Sequence, residues 1–223
     1  MSPLVPMIAL GAAVFGLCFY GLGVYATWRH TRRAPRRWSE PLPPVSILKP
    51  LRGDEESLSA NLECFFVQDY PAPFEIVFST AEPDDAALPI ARAVAARYPH
   101  VPVRWARSDP DYGLNPKVAN LAGAMAVASH DLCLQSDANV RARPDYLRRV
   151  VTELLSEKAS LLSSLVVGVG EASIGGAMEN LQLSAMIVPS VCFALRFFDV
   201  PCVIGKSMLL RRSELDAMGG LES

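Results

Sequence analysis

A short apolar segment that ends in an acidic residue carries the clearest chemical signal in this sequence. Residues 131–139 read DLCLQSDAN, so a predicted strand over residues 132–135 leads directly to Asp137 among small and polar side chains. In an open α/β sheet, ligands bind outside the carboxyl ends of the strands. A carboxylate at such a strand end can hold a divalent metal ion and, through that ion, a diphosphate.

Two other polar segments are predicted to reach the same edge. Residues 80–85 (TAEPDD) follow a predicted strand and supply Glu82, Asp84 and Asp85, and residues 113–120 (GLNPKVAN) open a predicted helix and supply Lys117 and Asn120. Carboxylates can accept hydrogen bonds from a base or ribose, while a lysine and a helix N-terminus can bind phosphate. A metal-holding aspartate would neutralise a leaving diphosphate. The acidic residues at 82–85 could equally cap the helix that follows, and both roles can coexist.

The elements that must position these side chains alternate along the chain. Strands are predicted at residues 45–50, 74–80, 101–106 and 132–135, and helices at 55–68, 86–98, 115–128 and 144–156. We expect Asp54, and Asp84 or Asp85, to cap the first two helices, and Asn115 followed by Pro116 to begin the third. Strands alternating with helices predict an α/β fold with a mostly parallel sheet covered by helices on both faces.

The N-terminus is predicted to be a single transmembrane helix. Residues 4–28 contain no charged side chain, and such a run is long enough to span a bilayer. Five arginines follow between positions 29 and 37, which places the remainder of the chain on the cytoplasmic side. A cleaved signal peptide would show the opposite order, with basic residues before a shorter apolar run. The expected organisation is an anchor at 1–28, a basic and proline-containing linker at 29–44, and one domain at 45–223.

A second apolar segment, residues 181–204, leaves three interpretations open. It is interrupted by Arg196, Asp199 and two prolines, which argues against a regular membrane span. It could lie in the membrane interface, line a pocket for an apolar substrate, or form a buried helix and strand of the core.

The overall composition excludes several classes of protein. Hydrophobic residues make up 51% of the 223 residues, and the formal net charge is −2, so neither disorder nor nucleic-acid binding is expected. Five cysteines without a CxxC pair predict buried, reduced thiols rather than a metal cluster. The chain lacks a GxGxxG motif after a strand and a GxSxG motif, which argues against a dinucleotide-dependent dehydrogenase and a serine hydrolase.

Several segments together resemble the GT-A-fold glycosyltransferases of the family 2 type, and more closely the ceramide glucosyltransferase family, family 21. The matching residues lie at 45–53 (VSILKPLRG), 61–66, 69–71 (DYP), 113–121, 136–137 (SD), 208–212 (MLLRR) and 219–221 (GGL). This resemblance implies an inverting transfer of a sugar, most simply glucose, from a UDP-sugar to a lipid hydroxyl with Mg²⁺ or Mn²⁺.

The same resemblance assigns the candidate residues. It places the acid near uracil and ribose at Glu82, where Asp is usual, with Asp84 and Asp85 able to share or replace that role. It places the metal ligand at Asp137, with Asn139 where a further acid often stands, and it places Lys117 and Asn120 in a segment near the donor. The general-base Asp and a Gln-x-x-Arg-Trp motif are expected beyond Ser223, so the catalytic base is unassigned and the domain is expected to be incomplete at its C-terminus.

Alternatives remain at this stage for the acceptor and for activity itself. A related branch glycosylates hopanoid lipids, with N-acetylglucosamine as one option for the sugar, and the sequence does not separate that acceptor from ceramide. The second hypothesis is a truncated, non-catalytic membrane protein that binds a nucleotide or a lipid.

Overall fold

The computed structural model describes residues 4–53, 57–109, 115–170 and 173–222, which fall into two compact units. One unit comprises residues 35–164 and 204–223 and contains the sheet. The other comprises residues 1–34 and 165–203 and is helical.

A six-stranded sheet forms the centre of the first unit. The strands are β1 (Val45–Pro50), β2 (Phe74–Thr80), β3 (Val103–Arg107), β4 (Leu132–Ser136), β5 (Leu161–Ser163) and β6 (Ser207–Arg211). Their order in the sheet is β3-β2-β1-β4-β6-β5. Strands β1 to β4 are parallel to one another, whereas β6 runs antiparallel to both β4 and β5. This confirms the predicted mostly parallel α/β sheet.

Helices cover both faces of the sheet because successive strand residues point to opposite sides. The helices of this unit are α2 (Leu58–Phe66), α3 (Ala87–Arg97), α4 (Pro116–Val127), α5 (Tyr146–Glu157) and α8 (Arg212–Ala217). Ile47 and Leu134 pack in one apolar core with α2, α3 and α5, while Leu48 and Cys133 pack in a second core with α4.

The element boundaries differ from the predicted ones mainly at the ends. The predicted cap Asp54 and the residues Gly113 and Leu114 lie outside the described residues. An edge strand that was not predicted, β5, lies at Leu161–Ser163, and residues 181–204 contain no strand. The expectation of buried cysteines was wrong for Cys18 and Cys202, which are exposed, whereas Cys133 and Cys192 are buried.

The helical unit consists of α1 (Leu4–Thr31) and a second long helix. That helix begins as α6 (Ile174–Gln182), passes through a π-helical turn (Leu183–Ile187) and continues as α7 (Val188–Phe198). Both are long and apolar enough to cross a membrane, with mean hydropathies of 2.0 and 1.6. The two pack closely where Gly23 lies against Pro189, since a Cβ on that glycine would be 3.2 Å from the proline Cβ.

Candidate functional site

The sheet has its topological switch point between β1 and β4. From β1 the chain proceeds outward to β2 and β3, and it then returns to place β4 on the other side of β1. Loops that leave the carboxyl ends of two such strands diverge and open a crevice, which is where ligands bind in open α/β sheets. Lys49, Ser136 and Asp137 lie at this point, so the predicted metal ligand occupies the position that the topology favours.

Asp137 and Lys117, which lie 20 residues apart in the chain, form an ion pair in this crevice. The Lys117 Nζ lies 2.7 Å from Oδ1 and 2.9 Å from Oδ2 of Asp137, and it also donates to the Gly205 carbonyl at 2.7 Å. The helix that carries Lys117 is started by Asn115, whose side chain accepts a hydrogen bond from the Lys117 backbone N–H at 3.0 Å. The pair is partly exposed, with 44% and 21% of the Lys117 and Asp137 side chains accessible, so a ligand can reach it.

Gln135 supports the Asp137 carboxylate from beneath. Its Nε2 donates to Asp137 Oδ1 at 2.7 Å, and its side chain is almost fully buried. Its Oε1 is buried without a hydrogen-bond partner among the described residues. An orphaned buried acceptor is uncommon in native structures and calls for a partner such as a water or an ion.

Lys49 is the functional candidate that the residue-by-residue reasoning missed. It is fully buried, and its Nζ donates to the Asp137 carbonyl at 2.7 Å and to Ser136 Oγ at 3.3 Å while lying 3.9 Å from the ring centroid of Phe65. A buried ammonium is costly unless it is paired or hydrogen-bonded. The available signal was a lysine near the end of an otherwise apolar strand, just before Pro50.

The three acids at 82–85 separate into two groups. Asp85 is buried, and its carboxylate accepts from the Gly53 N–H at 2.9 and 3.0 Å and from the Ala87 N–H at 2.8 Å. It therefore ties the loop after β1 to the first turn of α3, as a helix-capping residue would. Glu82 and Asp84 are exposed at the rim of the same edge.

Asn120 faces inward and performs a similar tethering role. Its Oδ1 accepts from Ser108 Oγ at 2.5 Å, and its Nδ2 donates to the Leu51 carbonyl at 3.3 Å. Asp85 and Asn120 thus both hold the loop that follows β1, while Lys117 and Asp137 are brought into direct contact. Donor contacts for all six predicted residues stay a prediction.

A divalent metal ion fits this arrangement only if a bound substrate also coordinates it, because the site offers too few protein ligands. No group of three or more His, Cys, Asp or Glu side chains is close enough to hold a metal within the described ranges. Mg²⁺ commonly uses one or two carboxylates together with substrate phosphates and waters. Asp137 provides one carboxylate, which already binds a cation in the form of the Lys117 ammonium.

A buried carboxylate at the opposite edge of the sheet has a structural role. Burial raises the pKa of Glu75, but hydrogen bonds from the Ser129 N–H, Ser46 Oγ, Arg104 Nε and Ser129 Oγ outweigh it, so the pKa lies below the usual range. These contacts join the first residues of β1 and β2 to the segment before β4. Glu75 therefore stabilises the fold at a distance from the crevice.

Comparison with known proteins gives a consistent set of relatives. The family model of glycosyl transferase family 21 matches residues 8–223. Ceramide glucosyltransferase 1 of Caenorhabditis elegans is 28% identical over 220 residues, which cover 97% of this chain and 47% of that protein. The ceramide glucosyltransferase of Komagataella phaffii is 28% identical over 235 residues, covering 94% of this chain and 46% of that protein. The chain thus spans about half the length of the curated relatives it matches.

Solved structures share the fold at low sequence identity. A mannosyltransferase from Pyrobaculum calidifontis, in complex with GDP-Man and Mn²⁺, superposes with a TM-score of 0.62 at 20% identity, covering 96% of this chain and 57% of that one. Glucosyl-3-phosphoglycerate synthase from Mycobacterium tuberculosis, in complex with Mn²⁺, UDP-Glc and phosphoglyceric acid, gives 0.50 at 17% identity, covering 78% and 58%. These likenesses support the GT-A architecture of the sheet unit.

Proposed function

Because the chain belongs to glycosyl transferase family 21, we propose that it forms the donor-binding part of a membrane enzyme that transfers glucose from UDP-glucose to the hydroxyl of ceramide. The observation that carries this proposal is the contact between Lys117 and Asp137 at the switch point between β1 and β4. This contact brings together Lys117, which can bind an anion, and Asp137, which can bind a cation. A metal-bound diphosphate needs both kinds of group.

Different residues of the crevice would bind different parts of the donor. Asp137 would hold Mg²⁺ or Mn²⁺, and the ion would neutralise charge that develops on the UDP leaving group. Lys117 can then turn from the carboxylate to a phosphate oxygen, assisted by the N-terminus of α4. Lys49 fixes the backbone of Asp137 and adds positive charge beneath the diphosphate. Glu82 and Asp84 at the rim are left for the uracil and ribose.

The relatives and structural neighbours agree with this donor chemistry. The mannosyltransferase is bound to a nucleotide sugar and Mn²⁺, and the synthase is bound to Mn²⁺ and UDP-Glc. The curated relatives are ceramide glucosyltransferases, which favours ceramide over a hopanoid as acceptor and glucose as the sugar. The base that would take the proton of the lipid hydroxyl is not assigned to a residue of this chain.

Sheet pairing supports a single-pass topology. Strand β6 pairs with both β4 and β5, although the apolar helix Ile174–Phe198 lies between β5 and β6 in the chain. If that helix crossed the bilayer once, β6 would lie on the opposite side from its partner strands, which hydrogen bonding forbids. We therefore propose α1 as the one membrane span among the described residues, with the sheet unit on the cytoplasmic side and Ile174–Phe198 in the membrane interface.

The proposal is tested by titrating the detergent-solubilised chain with UDP in the presence and absence of Mn²⁺. Asp137→Asn should abolish the metal-dependent part of the UDP affinity while circular dichroism shows a retained fold. The matched control is Asp69→Asn, which removes an exposed carboxylate that pairs only with Arg148 at 3.2 Å in the described structure. An unchanged metal-dependent affinity in Asp137→Asn would reject the assigned donor site.

The acceptor is tested separately in an assay of sugar transfer. Sugar transfer from UDP-glucose or UDP-N-acetylglucosamine to ceramide or a hopanoid alcohol is followed by mass spectrometry. We expect glucosylceramide as the main product. Transfer only to the hopanoid would reject the ceramide assignment and leave the donor site intact.

A further inference from the structure

The helical unit contains a cavity that the donor site does not use. It lies between the C-terminal parts of α1 and α7, and its volume is about 460 Å³. Its lining includes four arginines, Arg29, Arg32 and Arg33 of the α1 end and Arg196 of α7. None of the described residues that line it is acidic.

The packing of the two helices fixes the apolar base of this cavity. Ala26 and Cys192 are buried against each other's helix, together with Val188, and both Ala26 and Cys192 also line the cavity. Phe19 and Phe193 add a ring contact with centroids 4.5 Å apart. Arg196 is therefore carried to the arginines of α1 by a defined helix contact rather than by a loop.

The charges around this cavity favour an anion. Four exposed guanidinium groups around one space repel one another, and no carboxylate among the described lining residues compensates them. Guanidinium groups bind phosphate through paired, geometrically matched hydrogen bonds, so several of them around one cavity form a phosphate site. The Arg32 guanidinium is already oriented, because it lies 5.1 Å from the centroid of the Trp28 ring.

The position of the cavity indicates the source of the phosphate. It lies at the end of the long apolar helix α1, where Tyr25 and Trp28 are exposed as interfacial aromatic residues would be. Basic pockets between helices on the cytoplasmic side of a membrane bind anionic lipid headgroups. With α1 as the membrane span proposed above, the cavity would open at the depth where the phosphates of the inner leaflet lie.

We propose that this cavity binds the phosphate of one anionic phospholipid, with Arg29, Arg33 and Arg196 as its ligands. Such a lipid would hold α7 against α1 at the membrane surface. The inference uses the membrane placement given above, but it does not depend on sugar transfer, because the ligand differs from both the nucleotide sugar and the uncharged ceramide.

Native mass spectrometry of the chain purified from vesicles of phosphatidylglycerol and phosphatidylcholine tests this inference. We expect one retained phosphatidylglycerol per chain, and retention about tenfold lower in Arg196→Gln, which loses one charge-assisted contact. The matched control is Arg37→Gln, which removes an arginine of the same basic segment from outside the cavity. Arg29→Gln provides a second cavity variant if Arg196→Gln does not fold, and UDP affinity reports independently on the sheet unit.

Each alternative outcome has a distinct meaning. Equal losses in Arg196→Gln and Arg37→Gln would show diffuse attraction to the basic segment and overturn the proposal. Retention of phosphatidylcholine as strongly as phosphatidylglycerol would overturn it too. Displacement of the lipid by millimolar inorganic phosphate would identify a site for the free anion instead. Retention that resists phosphate and is lost only in the cavity variants would support the proposal, whatever the UDP titration shows.

Discussion

Replacing Lys117 with methionine should change metal binding and nucleotide binding in opposite directions. In the structure, the Lys117 ammonium occupies both oxygens of the Asp137 carboxylate, at 2.7 and 2.9 Å. If Asp137 is the metal ligand proposed above, Mn²⁺ would have to displace this ammonium in order to bind. In the presence of UDP, the displaced ammonium would gain a phosphate oxygen as a new partner. On this proposal, Lys117 competes with the metal alone and is a ligand of the metal–nucleotide complex.

Typical energies of such contacts set the expected size of both effects. An ion pair this exposed stabilises by about 0.2 to 1 kcal/mol, so its removal should raise the affinity for Mn²⁺ alone by about 1.5- to 5-fold. A hydrogen bond from an ammonium to phosphate contributes about 1.5 to 3 kcal/mol, so the affinity for UDP at saturating Mn²⁺ should fall by about 10- to 150-fold. Asp137→Asn, by contrast, should weaken both.

The assay measures free Mn²⁺ by electron paramagnetic resonance and UDP binding by calorimetry, on the wild type and on Lys117→Met. Lys158→Met is the matched control, because it removes an exposed lysine that follows α5. A Mn²⁺ affinity that falls or stays constant in Lys117→Met would show that Asp137 is not the metal ligand. An unchanged UDP affinity would show that Lys117 does not bind the phosphates.

Three further predictions concern stability and reactivity. Glu75→Gln should lower the free energy of unfolding by about 2 to 4 kcal/mol at pH 7, because an amide cannot accept all of the hydrogen bonds that the carboxylate accepts. The lowered pKa of Glu75 means that its contribution is complete above the unfolded pKa of about 4.3 and is lost as the pH falls through the folded value, so denaturant titrations of wild type and Glu75→Gln should converge in acid. Asp85→Asn should lower the free energy of unfolding by about 1 to 3 kcal/mol, because it turns an amide donor toward backbone N–H groups. The free energy of unfolding of the exposed neighbour variant Asp84→Asn should stay within about 0.5 kcal/mol of the wild-type value. Equal effects in the two variants would contradict the capping role of Asp85. Burial raises the pKa of the Cys133 thiol to about 12, so a thiol-specific reagent at pH 8 should label the exposed Cys202 and leave Cys133 unmodified until the protein unfolds, and rapid labelling of Cys133 in the folded state would contradict its burial.

The local signals in the sequence were sufficient for most of the sheet unit. Strand bounds at β1 and β2 agree with the predicted ones, because both are apolar runs ended by Pro50 or by a polar turn. The start of α4 was predictable from Asn115 and Pro116, since capping acts between neighbours in the chain. Asp137 was also identifiable from a local signal, because it is the first acidic residue after a buried strand.

The roles of Lys49, Asp85 and Asn120 depended on tertiary contacts. Their partners lie between 12 and 88 residues away in the chain, apart from the local contacts of Asp85 with Thr80 and with the start of α3, and no local pattern encodes these distances. Asp85 and Asn120 resemble surface polar residues in sequence, yet both turn inward to hold the loop after β1. Lys49 is buried with its Nζ against the Asp137 carbonyl and the Phe65 ring, which are distant from it in the chain.

The sequence by itself determined the alternation of strands and helices, the apolar N-terminal helix with its basic end, and the acid at the end of β4. Tertiary structure decided which polar groups meet, because hydrogen bonds and ion pairs join residues that are close in space and not in sequence. It also decided that β6 pairs with β4 and β5 although the long apolar helix of residues 174–198 lies between β5 and β6 in the chain, because strand pairing depends on position in space.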